Sequence, residues 1–445
     1  MGDDTPAETR FRPDRRRRRV SVLTLVLAGG SGSRLSVLCE NRVKPAVPFA
    51  GKYRIIDFAL SNAVNSDLYR VALLTQHRPH SLMQHIGMGE PWDLNRRWPN
   101  GIQMWQPFRG RSEQEWQRGT ADALYQNRDF IAESGCEQLL ILSGDHIFKQ
   151  DFRDLLRFHE ARSADITVGA MFVPPEEVHR FGIMSVGTDR RITQFTEKPE
   201  HSSGGSALAS MGIYVFNTHI LLRRLAQDAA DVDSSHDFGS DIVPRMVQQD
   251  RAFAYPFNGY WVDVGTIEAY WATNLALLAE DPALDLYDRN WVFHTRSEER
   301  PPVRLGPAGA SHHSLVSNGC IIHGTVINSV LSPGVFIERG AVVRDSVVMN
   351  DTTIRAGAVI DRCILDKEVE IGTDAQLGAG VDNTPNQLEP ENLATGITLI
   401  GKRARVPSGA IVGRNCCIHT DTTPEDFPGL QVPTGATITR QESAG

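Results

Sequence analysis

Leu23-Thr24-Leu25-Val26-Leu27-Ala28-Gly29-Gly30-Ser31-Gly32-Ser33-Arg34-Leu35 joins an apolar run to a glycine-rich turn. A short run with almost no polar alternation fits a strand buried on both faces, as in a parallel sheet covered by helices. Similar runs at 71–75, 139–142 and 166–170 are separated by segments of helical length, which predicts a mostly parallel α/β sheet. In the turn, three glycines let backbone N–H groups approach a phosphate chain without Cβ interference. A helix starting after the turn would add its positive end. The turn lacks the Lys-Ser/Thr of a Walker A loop and does not fit the dinucleotide GxGxxG pattern.

Toward the C-terminus the apolar spacing changes. From Val330 it falls every six residues, at Phe336, Val342, Val348, Ile354 and Ile360, then slips by one to Leu365, Ile371 and Leu377. A polar insertion at 382–391 interrupts the pattern, which resumes at Ile400, Val406, Val412 and Ile418. A sustained six-residue repeat with small or glycine neighbours predicts a left-handed parallel β-helix, each flat side one short strand. The proline-rich Arg300-Pro301-Pro302-Val303 marks the change. The expected organisation is a disordered basic tail at 1–20, a catalytic domain at 21–300 and a β-helix domain at 301–445.

Composition narrows the classes. The 445 residues are 41% hydrophobic and 22% charged, an ordinary globular balance. A net charge of −8 argues against a nucleic-acid partner. Five arginines at 15–19 precede an apolar run too short for a membrane span, and no other apolar run is long enough, so a cytoplasmic protein is expected. The six cysteines, Cys39, Cys136, Cys320, Cys363, Cys416 and Cys417, lack zinc-site spacing and read as reduced, buried residues.

Two cations follow the glycine turn, Arg34 and then Lys44 before Pro45. Cleavage of a triphosphate between its α and β phosphorus atoms requires positive charge on the departing pyrophosphate, which such a pair supplies. A second apolar strand ends in Ser143-Gly144-Asp145-His146, and strand ends of open α/β sheets face ligands. Tyr260-Trp261-Val262-Asp263-Val264-Gly265 brings a second carboxylate. Two such oxygen ligands suit Mg²⁺, which typically takes one or two carboxylates plus substrate phosphates.

These motifs, with Lys44-Pro45-Ala46-Val47-Pro48-Phe49, Tyr53-Arg54-Ile55-Ile56-Asp57-Phe58, Arg118-Gly119-Thr120-Ala121-Asp122-Ala123, Phe195-Thr196-Glu197-Lys198-Pro199, Ser210-Met211-Gly212-Ile213-Tyr214 and Ser234-Ser235-His236-Asp237-Phe238-Gly239, resemble the bacterial glucose-1-phosphate adenylyltransferases, also called ADP-glucose pyrophosphorylases, among the sugar nucleotidyltransferases. The resemblance runs from about Ser21 to Ile418. It implies a Rossmann-like nucleotidyltransferase domain followed by the β-helix, acting on ATP and glucose 1-phosphate in glycogen or storage-glucan synthesis, allosterically regulated by a metabolite effector and assembled as a homotetramer. It implies Arg34, Lys44 and Asp145 as catalytic residues and Asp145 and Asp263 as Mg²⁺ ligands. Glu197, Lys198, Ser210, Asp237 and Trp261 would bind glucose 1-phosphate. Gly29, Gly30, Gly32, Gln76, Gly119, Thr120 and Asp122 would bind nucleotide. His236 and His80 are not expected to act as bases, because the attacking phosphate is already ionised at neutral pH.

The candidate effector residues are Asn41, Arg42, Arg54 and His80. Many relatives carry lysine where Asn41 stands, and a basic residue where Pro48 stands, which argues against fructose 1,6-bisphosphate as activator. Gln117 replaces a common tyrosine, and Ser31 a common arginine. Alternative readings are a relative using another nucleoside triphosphate, a catalytically weak regulatory subunit, or a hexapeptide acyltransferase using His312, His313 or His323.

Overall fold

The computed structural model describes residues 20–30, 32–75, 78–97, 99–106, 119–200 and 205–440. The basic run at 15–19, Ser31, Gln76, Gln117 and Arg118 lie outside the described residues.

The opening apolar run is the strand Val22–Ala28 at the centre of a nine-stranded sheet. It pairs in parallel with Arg70–Thr75 on one side and Gln138–Ser143 on the other, and Gly101–Trp105 extends the parallel set. The buried faces explain the uninterrupted hydrophobicity: Leu23, Leu25, Val26, Leu139, Leu140, Ile141 and Leu142 are inaccessible to solvent. The long strand Ala207–Asn217 continues the sheet antiparallel to Gln138–Ser143 and Ile166–Val173, with a register shift between Ser210 and Tyr214. A second parallel pair joins Ile166–Val173 to Ala252–Pro256. This is a mostly parallel, Rossmann-like core with an antiparallel flank.

After the helix Ile267–Ala276 the chain reaches its first β-helix strand at Arg304–Leu305. From there all pairings are parallel, in three sheets of six, seven and seven short strands. The architecture expected from the repeat is present, but its phase differs in one respect. Phe336 and Val342 stand half-exposed, and their neighbours Ile337 and Val343 point inward, fully buried. The inward series is Leu331, Ile337, Val343, Val348, Ile354, Ile360, Leu365, Ile371 and Leu377, at steps of six, six and five. A coil is therefore 17 residues, as the pairing of Val326 with Val343 and of Val343 with Ile360 shows. The slip seen at Leu365 recurs once per coil, at a corner where one residue is dropped. All six cysteines are free and buried.

The sheet domain and the β-helix share a core. Leu35, Phe49, Phe58 and Tyr270 from the first pack in one cluster with Val347, Ile364, Leu399 and Cys417 from the second. A buried Arg42–Asp366 ion pair crosses the same boundary. The insertion at 382–391 also reaches across it, where Ser36 Oγ donates to Glu389 at 2.6 Å. No helix among the described residues is long and apolar enough to cross a membrane.

The inward phase is testable in the full chain by urea unfolding. Ile360→Ala should cost about 2–5 kcal/mol, as for buried aliphatic truncations. Val342→Ala, on the half-exposed side, should cost less than about 1 kcal/mol.

Candidate active site

The carboxylates of Asp145 and Asp263, distant in sequence, are brought together by a two-stranded ribbon. His146–Phe148 pairs antiparallel with Trp261–Asp263, and Asp263 lies opposite His146. The ribbon is fixed from below by buried Asn62, whose Nδ2 donates to the Phe148 carbonyl at 2.8 Å while its Oδ1 accepts from Gln150 N and Trp291 Nε1. Asn62 sits on the helix Ile55–Asn65, so the ribbon follows the helix packed under the central sheet.

Lys44 lies between the two acids. Its buried ammonium donates to Asp145 Oδ2 at 3.0 Å and to Asp263 Oδ1 at 2.8 Å. It is carried by the one-turn segment Lys44–Ala46, where Pro45 sets the backbone. Burial alone would raise both carboxyl pKa values. The Lys44 charge, aided at both acids by His146 and at Asp145 by Ser143, outweighs it, and both stay below the ordinary carboxylate range. Burial likewise opposes charge on Lys44, but the two carboxylates reverse the effect and hold it protonated.

Around this centre, Ser143 Oγ donates to Asp145 Oδ1, and Arg180 Nη2 donates to both Asp263 Oδ2 at 3.0 Å and its backbone carbonyl at 3.2 Å. Asp145, His146 and Asp263 present ligand atoms within 4.8 Å of one another, a cluster able to hold a divalent ion. The hard carboxylate oxygens suit such an ion. His146 Nδ1 and Trp261 Nε1 are buried with no hydrogen-bond partner among the described residues. Trp261 packs edge-on against His146 and Phe181, which places it with the carboxylate ribbon.

The glycine turn opens beside this cluster. Gly30 is exposed, and a Cβ there would meet nothing within 4 Å. Gly32 has φ of 65°, a left-handed conformation. No α-helix follows the turn. The segment Ser33–Cys39 is a 3₁₀ stretch broken at Ser36, so the expected helix end is absent. Arg34 is exposed, with one Nη 2.9 Å from where a Cβ on Gly265 would stand, beside Asp263.

A second group of expected residues converges on the far side of the Ser210–Tyr214 bulge. Glu197 ends its strand, half-buried, with Lys198 Nζ 3.4 Å away. Burial, then the nearby Asp237 charge against the opposing Lys198, leave the Glu197 carboxyl above its ordinary pKa. Asp237 accepts from Gly239 N and Ser240 N at a helix start and from Thr120 Oγ1 at 3.0 Å. Ser210 Oγ lies 3.0 Å from Tyr214 Oη, and the Tyr214 ring stacks on Phe238. Gly119 fits against the His236 carbonyl, which accepts from Ala121 N at 2.9 Å, and Asp122 accepts from Gln126 at 2.9 Å. His236 itself is tied to buried Asp228 at 2.8 Å. At the bulge, Gly212 adopts φ of 69° with the His146 ring close by, which joins the two groups.

The effector candidates lie elsewhere. Asn41, Arg42, Arg54 and His80 all line a cavity of about 1070 Å³ between the sheet domain and the β-helix. Lys52, Arg296, Lys367 and Lys402 line it too. Burial, with Arg54 and Arg42 nearby, depresses the Lys367 pKa to about 7. Burial and Arg42 also lower Arg54, to about 10. His312 and His313 are exposed, and His323 packs against Phe336.

The residues that sequence reading missed are Ser143, His146, Arg180, Tyr214, Lys367 and Lys402. Ser143, His146 and Tyr214 stand inside the quoted motifs and were legible as neighbours. Arg180 and the two lysines sit in ordinary polar stretches that carry no signal.

Comparison with known proteins shows the family. Residues 23–280 match the nucleotidyl transferase family, and residues 303–400 match the GlmU-like C-terminal hexapeptide family. A Thermomicrobium roseum protein named glucose-1-phosphate adenylyltransferase is 52% identical over 418 residues, 94% of this chain and 97% of its own length. Proteins of the same name from Acetivibrio thermocellus and Thermotoga maritima are 43% and 45% identical, over 94% and 95% of this chain and 97% and 100% of their own lengths.

Two glycines separate packing from access. Gly119→Ala drives a Cβ into the His236 carbonyl and should cost about 1–3 kcal/mol of stability. Gly30→Ala meets open space and should leave stability within about 0.5 kcal/mol, both read by denaturant titration.

Proposed function

The chain belongs to the glucose-1-phosphate adenylyltransferase family and is a nucleotidyltransferase, and from that premise we propose how its residues join glucose 1-phosphate to ATP, forming ADP-glucose and pyrophosphate. The observation that carries the proposal is the single cluster of Lys44, Asp145 and Asp263, with Gly32 of the glycine turn against Lys44 and the His146 ring against Gly212 in the bulge after Ser210.

A phosphate oxygen of glucose 1-phosphate attacks the α-phosphorus of ATP as the bond to the β-phosphate oxygen breaks and pyrophosphate leaves. The nucleophile is already an anion, so positioning and charge account for the catalysis. Asp145 and Asp263 would hold Mg²⁺, which when bound neutralises charge on the reacting phosphates. Arg34 and Lys44 meet the outgoing pyrophosphate, and exposed Gly30 lets phosphate approach the backbone. Lys198 takes the sugar phosphate. Glu197, Asp237 and Ser210 meet glucose hydroxyls, with Tyr214 and its stack on Phe238 forming the wall. Gly119, Thr120 and Asp122 border the nucleotide. Trp261 acts by holding the His146 ring and the ribbon. With His236 bound to Asp228, and His80 in the separate cavity, neither is placed to take a proton from substrate.

The setting is glycogen or storage-glucan synthesis in the cytoplasm, by a homotetramer assembled through the β-helix and sheet edges. The cavity between the domains would receive an anionic metabolite. Its lining gathers several cations, and a lysine held near neutrality gains a proton when an anion arrives.

The assay is pyrophosphate release from ATP, glucose 1-phosphate and Mg²⁺, compared across four nucleoside triphosphates. ATP should be preferred, and Asp145→Ala should lower turnover by about 10²–10³-fold, the scale of one lost electrostatic stabiliser. Unchanged turnover contradicts the metal-ligand role. For the cavity, sulfate is a probe that does not itself titrate near neutrality. Lys367 is charged below its pKa of about 7 and neutral above it. Sulfate affinity by calorimetry should therefore fall severalfold between about pH 6 and about pH 8, and Lys367→Met should flatten that step.

A further inference from the structure

Arg180 ends the short helical segment Pro175–Arg180, between the strands Ile166–Val173 and Gly182–Val186. Nothing in the proposed reaction uses it, yet its guanidinium holds both Asp263 Oδ2, at 3.0 Å, and the Asp263 carbonyl, at 3.2 Å. Lys44 takes the other carboxylate oxygen at 2.8 Å. Both side-chain oxygens of Asp263 are therefore covered by cations. The two acids and the two cations sum to zero charge, with half-exposed Glu177 beside Arg180 Nη1 at 3.4 Å adding one negative charge. A divalent ion added to this arrangement would place two positive charges beside two others, in a setting where Asp263 is only 9% exposed.

We propose that Arg180 is a displaceable counter-ion of the metal site, occupying Asp263 until a divalent ion and its polyphosphate arrive and then releasing it. This rests on the reading that Asp145 and Asp263 hold the ion. Two features suit Arg180 to leaving. Its grip on the carboxylate is through Nη2 alone, its Nη1 reaches only half-exposed Glu177 at 3.4 Å, and its Nε is buried without a partner, so the present seat does not fully satisfy the group. A carboxylate freed of this competitor has a lone pair for an ion, while the released guanidinium retains a planar fork suited to phosphate oxygens. Arg180 is in this sense a positioning residue acting through Asp263. The consequence is that a bare ion binds weakly and the nucleotide, by bringing negative charge, opens the site to it.

Mn²⁺ binding to the full chain, measured from the free-ion paramagnetic resonance signal without nucleotide, tests this. Arg180→Gln should bind Mn²⁺ about tenfold more tightly than the parent, the scale of one charge-assisted hydrogen bond lost by the competitor. Arg180→Met should tighten binding similarly, whereas Arg180→Lys, which keeps the charge, should stay near the parent. A non-hydrolysable ATP analogue should shrink the gap to less than about threefold. Equal or weaker Mn²⁺ binding by both neutral variants, with parent binding still abolished by Asp263→Asn, overturns the counter-ion role alone. Binding that survives Asp263→Asn, or no binding by the parent even with the analogue, overturns the metal-site reading and this proposal with it. Thermal unfolding of each variant shows whether a weaker affinity comes from misfolding, and the second neutral variant then decides.

Discussion

One ammonium group shared between two carboxylates organises the catalytic half of the molecule. Lys44, Asp145 and Asp263 come from three separate segments, and Lys44 and Asp263 would each be a costly buried charge without the others. Removing one partner of a buried pair such as Lys44 and Asp263 typically costs about 3–5 kcal/mol, because it strands an uncompensated charge. The rest of the local architecture serves to close the distance. The central strand pair aims the Gly144-Asp145 turn, the ribbon lays Asp263 opposite His146, and Asn62 on the helix beneath fixes the ribbon's far end.

The same short stretch of chain faces two places. Residues 41–54 line the cationic cavity through Asn41, Arg42, Lys52 and Arg54, while Lys44, two residues from Arg42, turns to the two carboxylates. Arg42 is anchored to Asp366 of the β-helix, and Lys367 beside it faces the cavity. Ser36, just after the glycine turn, has φ of 49° and donates to Glu389 from the β-helix insertion. A ligand that drew Lys367 and Arg54 together would act on the segment that also carries Lys44. The β-helix is thus packed directly against the segment that carries Lys44, through a shared apolar core.

Sequence alone carried the elements whose signal is local. The apolar strand and glycine turn, Gly144-Asp145, and the six-residue repeat each follow from what a short stretch can bury or bend around. The sharing of Lys44 by both acids was not legible, because it depends on a three-residue ribbon linking segments more than 100 positions apart. Phe336 and Val342 read as core because an ideal period of six runs straight through them. The 17-residue coil drops one residue at a corner, and Ile337 and Val343 take the inward places. The helix expected after the glycine turn is replaced by a kinked 3₁₀ stretch at Ser36, a consequence of packing on the β-helix that local propensity does not contain. Arg180 gave no sign, since an arginine in a charged surface-like stretch becomes a partner of Asp263 only through the fold.

The central proposal is that these two carboxylates together hold a divalent ion when nucleotide binds. Anomalous diffraction from crystals grown with Mn²⁺ and a non-hydrolysable ATP analogue measures this directly. The account predicts one Mn²⁺ peak about 2.1 Å from an oxygen of Asp145 and from an oxygen of Asp263, with Lys44 withdrawn from at least one of them toward phosphate. A peak that touches only one acid, or Lys44 still bridging both with the ion bound elsewhere, would contradict it.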